Sequence, residues 1–175
     1  MDLAVDALLQ SENLDRVLIA TGDGDFVQVI RALQNKGTRV EVVAFENVSS
    51  ALRQEADLFM SGYLVPNLLN VDDSKADWGD PDSIVRGWCY YYNDEKGFGY
   101  MRFMTDISPN LWLVDNRKNT HSPYASAFFH YTMLSDEQSR GQLPSRDRIF
   151  EFRLIPSDKN RNELTATNIR TVCVT

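Results

Sequence analysis

The segment Val17-Leu18-Ile19-Ala20-Thr21-Gly22-Asp23-Gly24-Asp25-Phe26 decides the fold of the first part of the chain. Its four opening apolar residues, uninterrupted by polar ones, predict a strand buried on both faces, as in a parallel sheet. The two glycines then predict a tight turn, and apolar residues at three- and four-residue spacing after Phe26 predict a helix. Because ligands of open α/β sheets bind beyond the carboxyl ends of the strands, Asp23 and Asp25 lie where a site is expected.

Asp23 and Asp25 are candidates for binding a cation. Carboxylates two residues apart supply the hard oxygen ligands that Mg²⁺ and Mn²⁺ prefer, whereas a phosphate-binding loop would supply glycine amides and a lysine. In a structural interpretation, Asp25 instead caps the following helix and Asp23 is a turn residue. Since two carboxylates do not by themselves make a metal site, the turn alone leaves both interpretations open.

The segments on either side of this turn predict half of a doubly wound parallel α/β layer. Residues 1–10 predict a helix, and residues 39–45 predict a second strand. A short helix is expected to begin at Ser49 or Ser50 and to carry Phe59. The order helix, strand, helix, strand, helix is that of an α/β layer.

The formal charge of −7 is distributed unevenly along the 175 residues. Residues 1–70 carry a net charge of −5 and residues 71–84 a net charge of −4, whereas residues 85–175 carry +2. An acidic first part attracts phosphates poorly unless a bound metal neutralises it. The mildly basic last part can bind nucleic acid with an affinity that depends only weakly on salt. Tight non-specific binding of duplex is therefore not expected.

The cysteine and hydropathy patterns favour an intracellular compartment. Cys89 and Cys173 both lie in apolar segments, which favours buried reduced thiols over a disulfide framework. The sequence contains no CxxC pair, and it predicts neither a membrane span nor a secretory leader. We therefore expect a cytoplasmic protein with no membrane partner.

The first part of the chain resembles a family of nucleases. The motifs that carry the resemblance are LAVDALL at residues 3–9, TGDGDF at 21–26, GTRVEVVAF at 37–45, and Ser50-Ala51-Leu52 followed by Ala56, Asp57 and Phe59. Together they are similar to the NYN domain of the LabA-like group, which belongs to the PIN-like nucleases. The resemblance implies that RNA is cleaved with Mg²⁺ or Mn²⁺ held by carboxylates. It also implies that Asp6, Asp23 and Asp25 are the catalytic residues and the metal ligands.

The chain departs from this family at its N-terminus. Family members begin with an apolar strand that ends in an Asp-x-x-Asn-like motif and supplies a further carboxylate, whereas this chain begins at Met1 inside the following helix. The strand at residues 17–20 is therefore expected to have an unpaired edge. Three explanations are open: N-terminal truncation, which we favour; completion of the sheet by another chain, as in a homodimer; or a catalytically inactive scaffold.

The chain changes character after a first domain at residues 1–68. Residues 69–84 are acidic, contain Gly and Pro and have few apolar residues, so they predict a linker. Residues 85–175 predict five short strands, with aromatic residues crowded on the first three, as in a small barrel. Aromatic side chains exposed on a sheet can stack on nucleobases, although the alternation of a strand must send some of them into the core.

Two motifs in this last region resemble the cold-shock domain, an OB-fold that binds single-stranded RNA or DNA. KGFGYM at residues 96–101 is similar to its first ribonucleoprotein motif, and AFFHY at 127–131 is similar to its second. The resemblance implies a nucleic-acid site of Tyr91, which replaces the stacking Trp of the family, with Lys96, Phe98, Tyr100, Phe128, His130 and Tyr131. Residues 104–125 are much longer than the family's connection between the two motifs and are interpreted as an insertion. Arg117, Lys118 and His121 in it either extend the basic surface or, as we favour, belong to a solvated loop.

The predicted fold is α/β plus all-β: a partial doubly wound parallel, PIN-like layer followed by a five-stranded, cold-shock-like OB-fold barrel. The predicted function is RNA binding with metal-dependent endoribonuclease activity, in which the barrel holds single-stranded RNA and the first domain cleaves it. The alternative is a non-catalytic regulatory protein that binds single-stranded nucleic acid. In a third interpretation the barrel binds protein, against which the two aromatic motifs argue.

Overall fold

The chain folds into two compact units, Met1–Gly62 and Tyr63–Thr175. The computed structural model describes residues 2–71, 73–107, 122–157 and 163–174. The α-helices of these residues all lie in the first unit and have at most nine residues. None of the described helices has both the length and the apolar character needed to cross a membrane.

The first unit is a parallel three-stranded sheet with helices between its strands. Its elements in chain order are α1 (Asp2–Gln10), β1 (Arg16–Ala20), α2 (Val27–Asn35), β2 (Arg39–Ala44), α3 (Ser50–Glu55) and β3 (Leu58–Ser61). The strand order is β1-β2-β3, and both pairings are parallel. The predicted α/β layer is therefore confirmed, with three strands.

The core of the first unit forms where α2 packs on the sheet. Ile30 and Leu33 of α2 are fully buried with Val40 and Val42 of β2. The helical spacing of the apolar residues in α2 puts them on one face, which the sheet covers. Gly37, with a φ of +88°, then reverses the chain into β2, as expected of a glycine after a helix end.

β1 is less buried than its sequence predicts. Ile19 is buried in β1, but Leu18 is 42% exposed. Among the described residues, β1 pairs with β2 along one edge, and its other edge faces no described strand. The expectation of burial on both faces is therefore wrong, whereas the expected open edge is present in the described residues.

β3 replaces the end of the predicted third helix. α3 ends at Glu55, and Phe59, which was expected in this helix, lies in β3. Asp57 explains the change because its backbone N–H donates to the carbonyl oxygen of Val40 at 2.9 Å. Its carboxylate also accepts a hydrogen bond from the backbone N–H of Val40 at 2.7 Å. Asp57 therefore fixes the start of β3 beside β2.

A buried carboxylate interrupts the apolar run of β2. Glu41 is 2% exposed and pairs with Arg39 at 2.8 Å and with Arg16 of β1 at 2.5 Å. A buried charge requires such partners because desolvation is costly. The pair with Arg16 therefore links the edge strand β1 to the central strand β2.

The second unit contains a closed five-stranded barrel. Its strands are β4 (Ile84–Asn93), β5 (Phe98–Met104), β6 (Tyr124–His130), β7 (Ser145–Pro156) and β8 (Leu164–Val174). Their order is β4-β5-β6-β8-β7, and β7 pairs with β4 to close the ring. The pairings are antiparallel except for that of β6 with β8. The five predicted strands are therefore present.

The barrel interior is filled mainly by large apolar side chains. Phe103, Phe129 and Phe150 are fully buried there, together with Met101. Gly87 allows β4 and β5 to approach closely, since a Cβ at this position would lie 2.0 Å from the carbonyl oxygen of Arg102. The strands can pack at this distance because residue 87 has no side chain.

The acidic segment at residues 69–84, which is expected to be a linker, forms hydrogen bonds with the barrel. The indole N–H of Trp78 donates to the carbonyl oxygen of Met104 at 2.8 Å. The guanidinium of Arg153 donates to the carbonyl oxygens of Asp82 at 2.7 Å and of Asp73 at 3.0 Å. These bonds explain why the division between the units lies at residues 62 and 63, before the segment at residues 69–84.

Part of the predicted insertion lies outside the described residues. Residues 104–107 and 122–125 are described, and Met104 and Tyr124 pair at the ends of β5 and β6. Arg117, Lys118 and His121 lie outside the described residues.

The close approach at Gly87 predicts the effect of an added methyl group. Gly87→Ala should lower the free energy of unfolding of the second unit by about 1–3 kcal/mol, since the backbone of β5 must move. Urea unfolding followed by tryptophan fluorescence measures it, because Trp78, Trp88 and Trp112 all belong to this unit. Gly141→Ala is the matched control, since a Cβ there meets no atom within 4 Å. Equal unfolding free energies for the two variants would contradict the packing argument.

Candidate functional site

The aspartate turn lies at the carboxyl end of β1. Asp23 caps a 3₁₀ turn at Gly24–Phe26, and its Oδ1 accepts a hydrogen bond from the backbone N–H of Asp25 at 3.0 Å. The backbone N–H of Asp23 donates to Oγ1 of Thr21 at 3.2 Å. Both carboxylates are on exposed residues. In the structural interpretation of this turn, the capping residue is therefore Asp23 and not Asp25.

The turn is held against the segment that follows β2. The backbone N–H of Ser49 donates to the carbonyl oxygen of Gly22 at 3.1 Å, and that of Thr21 donates to Val43 at 3.1 Å. A Cβ at Gly24 would lie 2.9 Å from Oγ of Ser49. Gly24 therefore allows the turn to approach Ser49 closely.

The predicted metal ligands do not form one cluster. Asp6 is exposed on α1, while Asp23 and Asp25 lie in the turn after β1. Within the described residues, no group of three or more His, Cys, Asp or Glu side chains is placed to hold a metal ion. The described residues alone therefore do not fit a Mg²⁺ or Mn²⁺ site built from Asp6, Asp23 and Asp25.

A continuous group of aromatic rings lies on the outer face of the barrel. We call it the aromatic platform, and it consists of Tyr90, Tyr91, Phe98, Tyr100 and Phe128. The ring centroids of Phe98 and Phe128 are 5.8 Å apart, as are those of Tyr100 and Phe128. Tyr91 lies 6.1 Å from Tyr100 and 6.2 Å from Phe98. Each ring of the platform therefore has at least one aromatic neighbour.

Strand alternation explains why these rings face outward. Met101 and Phe103 of β5 are fully buried in the barrel, whereas Tyr100 is 36% exposed. Tyr91 of β4 is 43% exposed. Tyr100 pairs with Phe128 of β6 in the register, so their side chains lie on the same face. The rings predicted to bind bases are thus at the surface and not inside the barrel.

His130 and Tyr131 extend one end of the platform. His130 lies opposite Phe98 in the register of β5 and β6. The centroid of its ring is 4.5 Å from that of Tyr131, and Nδ1 is 2.9 Å from Oγ1 of Thr132. Lys96 is exposed in the turn between β4 and β5, where its backbone N–H donates to Oδ1 of Asn93 at 2.9 Å. The structure therefore places His130 beside Phe98 and the ring of Tyr131 next to that of His130, while Lys96 lies in the adjoining turn.

The sequence did not identify every member of this surface. Tyr90 joins the platform because a bulge between Cys89 and Tyr91 shifts the register of β4. Its ring is stacked 6.2 Å from Tyr100, and the guanidinium of Arg102 lies 4.2 Å from its centroid. The adjacent tyrosines Tyr90 and Tyr91 were a visible signal, but strict alternation would place only one of them outside.

Cys89 is a structural thiol and not a nucleophile. It is fully buried in the barrel core, and its thiol donates to the carbonyl oxygen of Tyr91 at 3.3 Å. Burial raises the pKa of Cys89 to about 12, so the thiol is protonated at neutral pH. The prediction of a buried reduced thiol is confirmed for Cys89.

The capping role of Asp23 predicts a difference between the two aspartates of the turn. Asp23→Ala should destabilise the first unit by about 1 kcal/mol, because the backbone N–H of Asp25 loses its acceptor. Asp25→Ala, the matched control, removes a neighbouring carboxylate that does not cap the turn. Thermal unfolding followed by far-ultraviolet circular dichroism reports on this unit, because the described α-helices lie in it. An equal loss of thermal stability in the two variants would contradict a capping role for Asp23.

The comparisons with known proteins find one family match, which covers the first unit. Residues 1–69 match the family model described as the NYN domain. This family indicates a nuclease-like function related to RNA. The match spans the turn with Asp23 and Asp25 and the three parallel strands.

A solved structure shows limited similarity to this chain. It is the crystal structure of a protein of unknown function from Vibrio parahaemolyticus, with 31% sequence identity and a TM-score of 0.33. The match covers 34% of this chain and 38% of that chain, so this chain spans well under half of that protein's length. No curated protein matches the sequence significantly. The NYN resemblance is thus confirmed for residues 1–69, whereas the LabA-like subtype and the cold-shock resemblance stay predictions.

Proposed function

We propose that this protein binds single-stranded RNA on the aromatic platform of its barrel. The observation that carries the proposal is the continuity of the platform, in which Tyr91, Phe98, Tyr100 and Phe128 form a connected outer face. Exposed rings are costly to hydrate, and each ring offers a flat surface on which an unpaired base can stack. Stacking contributes about 1–3 kcal/mol per base with little dependence on sequence.

The barrel is proposed to be a cold-shock-like OB-fold. Its five strands close into a ring in which β4, β5 and β6 are adjacent, and these three strands carry the platform. OB-folds bind oligonucleotides on the face of their middle strands, which supports this assignment. The two ribonucleoprotein-like motifs lie side by side on β5 and β6, since Phe98 pairs with His130 and Tyr100 with Phe128.

RNA is the proposed ligand in preference to DNA. The NYN match of residues 1–69 supports this preference, because the family is related to RNA. The charge of the chain supports binding through bases more than through phosphates, since the net charge is −7. A ligand recognised mainly by stacking must have unpaired bases, so single-stranded RNA fits better than duplex.

Loss of two rings from the platform should abolish most of this binding. Phe98→Ala combined with Phe128→Ala should weaken the affinity for a labelled single-stranded oligouridylate by about 5- to 150-fold for each stacked base that is lost. Fluorescence anisotropy measures the affinity, and an unlabelled DNA oligonucleotide of matching sequence tests the preference for RNA.

Val172→Ala is the matched control for the platform variant. Val172 is an apolar residue that is 37% exposed on β8, a strand that carries none of the platform rings. Its substitution should leave RNA affinity unchanged. Unchanged affinity in the folded double platform variant would refute the proposed function, and a thermal melt of each variant verifies folding.

Metal-dependent cleavage of RNA is a second candidate function, favoured by the NYN match. The carboxylates proposed for it are Asp6, Asp23 and Asp25, with Mg²⁺ or Mn²⁺ as the metal. The described residues do not bring a sufficient set of metal ligands together. The geometry therefore favours binding without cleavage over endoribonuclease activity for the chain by itself.

Incubation with Mn²⁺ and labelled single-stranded RNA distinguishes binding from cleavage. We expect the chain to leave the RNA intact on a denaturing gel, because the described carboxylates do not form a metal site. Metal-dependent cleavage that is lost in Asp23→Asn and in Asp25→Asn would contradict this and establish the nuclease. Asn caps a turn about as well as Asp, so Asp23→Asn removes the carboxylate while keeping the cap.

The open edge of β1 bears on the same question. An additional strand paired with β1 would satisfy its backbone groups and could bring another carboxylate to the turn at Asp23. A further N-terminal segment and a second copy of the chain are the two sources predicted from the sequence. Both stay predictions, as does the cytoplasmic location.

A further inference from the structure

Arg140 lies at the end of the platform that holds His130 and Tyr131. It belongs to a 3₁₀ turn at Glu137–Gln142, which lies outside the two motifs of the platform. The guanidinium carbon of Arg140 lies 4.3 Å from the ring centroid of Tyr131. A planar cation therefore covers part of a ring that the sequence assigned to base stacking.

The turn that carries Arg140 is fixed by its own hydrogen bonds. The carboxylate of Asp136 accepts from the backbone N–H of Gln138 at 2.9 Å and from the hydroxyl of Ser139 at 3.0 Å. The hydroxyl of Ser139 is also 3.2 Å from that of Thr171 on β8. Arg140 is thereby presented from a turn anchored to the barrel.

Tyr131 is held equally firmly beneath this guanidinium. Its backbone N–H donates to the carbonyl oxygen of Gly97 at 2.8 Å. Gly97 has a φ of +64°, and a Cβ at this position would lie 2.6 Å from Cδ1 of Tyr131. The Tyr131 ring therefore packs against the turn between β4 and β5, which also carries Lys96 and Asp94.

Asp94 is the partner of Arg140. Nε of Arg140 donates to Oδ1 of Asp94 at 3.1 Å, and a terminal nitrogen donates to the backbone carbonyl oxygen of Asp94 at 3.1 Å. The Asp94 side chain is 79% exposed and that of Arg140 is 36% exposed. An ion pair in this setting contributes little to stability, so its carboxylate can be replaced at low cost.

Phosphate can replace this carboxylate with little change in geometry. The guanidinium group donates to carboxylate and phosphate oxygens in the same forked arrangement. A strand whose bases stack on Phe98 and Phe128 has its phosphates at the margins of the platform, where Arg140 and the exposed Lys96 lie. Asp94 occupies the donors that a phosphate there would use.

We propose that Arg140 binds a phosphate of the single-stranded RNA held on the platform, and that Asp94 competes with this phosphate for the Arg140 guanidinium. The inference rests on the proposed function and adds to it a phosphate-binding position with an internal competitor. It explains why the partly exposed Arg140 lies on Tyr131, since this contact would orient the guanidinium next to the bases. Asp94 then sets the affinity of this end of the platform for the RNA phosphate.

The salt dependence of RNA affinity in the full chain separates this role from a structural one. Arg140→Gln should weaken binding of a single-stranded oligouridylate about tenfold. It should also reduce the slope of log affinity against log salt by about 0.7, the value for one phosphate contact on a single strand. Asp94→Asn should instead strengthen binding, by up to about fivefold, because the competitor is removed.

Glu95→Gln is the matched control for Asp94→Asn, since it removes the same charge one residue away. Asp94→Asn should strengthen binding more than Glu95→Gln does, and this excess should vanish in the Arg140→Gln background. An unchanged salt slope in Arg140→Gln, or equal effects of Asp94→Asn and Glu95→Gln, would overturn the inference.

Different experimental outcomes would contradict this inference and the proposed function. If the platform variant loses RNA affinity while Arg140→Gln keeps both affinity and salt slope, the inference alone is wrong. If the unmodified chain does not bind the oligouridylate, both the proposed function and this inference are wrong. A thermal melt of Arg140→Gln verifies that its effect does not come from unfolding, and the gain expected from Asp94→Asn cannot arise from damage to the fold.

Discussion

The structure of the second unit depends on the alternation of β5 within a closed barrel. Met101 and Phe103 point toward the core, and a Cβ at Gly99 would meet the buried ring of Phe129, which leaves Phe98 and Tyr100 on the outer face. Closure of the barrel fixes the register of β5, because a slip by one residue would put the outer rings into a filled interior and expose the core. The aromatic face is therefore a consequence of how the core is filled, and its rings are held in place by the same strands.

Much of the barrel could be predicted because alternation and motif order are local features. The five strands and the outward positions of Phe98, Tyr100 and Phe128 follow from patterns visible in short segments. Tyr90 could not be placed, because the bulge after Cys89 shifts the phase of β4 and depends on pairing with β5. Arg140 could not be placed either, because its contact with Asp94 joins residues 46 positions apart in the chain and depends on the closed fold.

The first unit shows a different limit of prediction. The turn at Asp23 and the strand β2 follow from apolar runs and glycine positions, but the burial of β1 does not. Burial on both faces requires cover that the strand's own sequence cannot reveal, and Leu18 is exposed. β3 was missed because the side chain and backbone of Asp57 both bond to Val40, a long-range contact that overrides a short helical pattern. Of the three proposed ligands, Asp6 lies on α1 and the other two lie in the turn after β1, and sequence spacing gives no distance between α1 and the turn.

The bonds of Arg153 to the backbone at Asp73 and Asp82 have a practical consequence. A barrel expressed from residue 85, where the strand-rich sequence begins, would lack two of the acceptors of the Arg153 guanidinium. It would also lack Trp78, which donates to the carbonyl oxygen of Met104. An isolated barrel should therefore be expressed from Tyr63 onward, with the acidic segment retained as part of its fold. The same bonds would protect the backbone of this segment from proteases, which cleave chain that can detach from its surroundings.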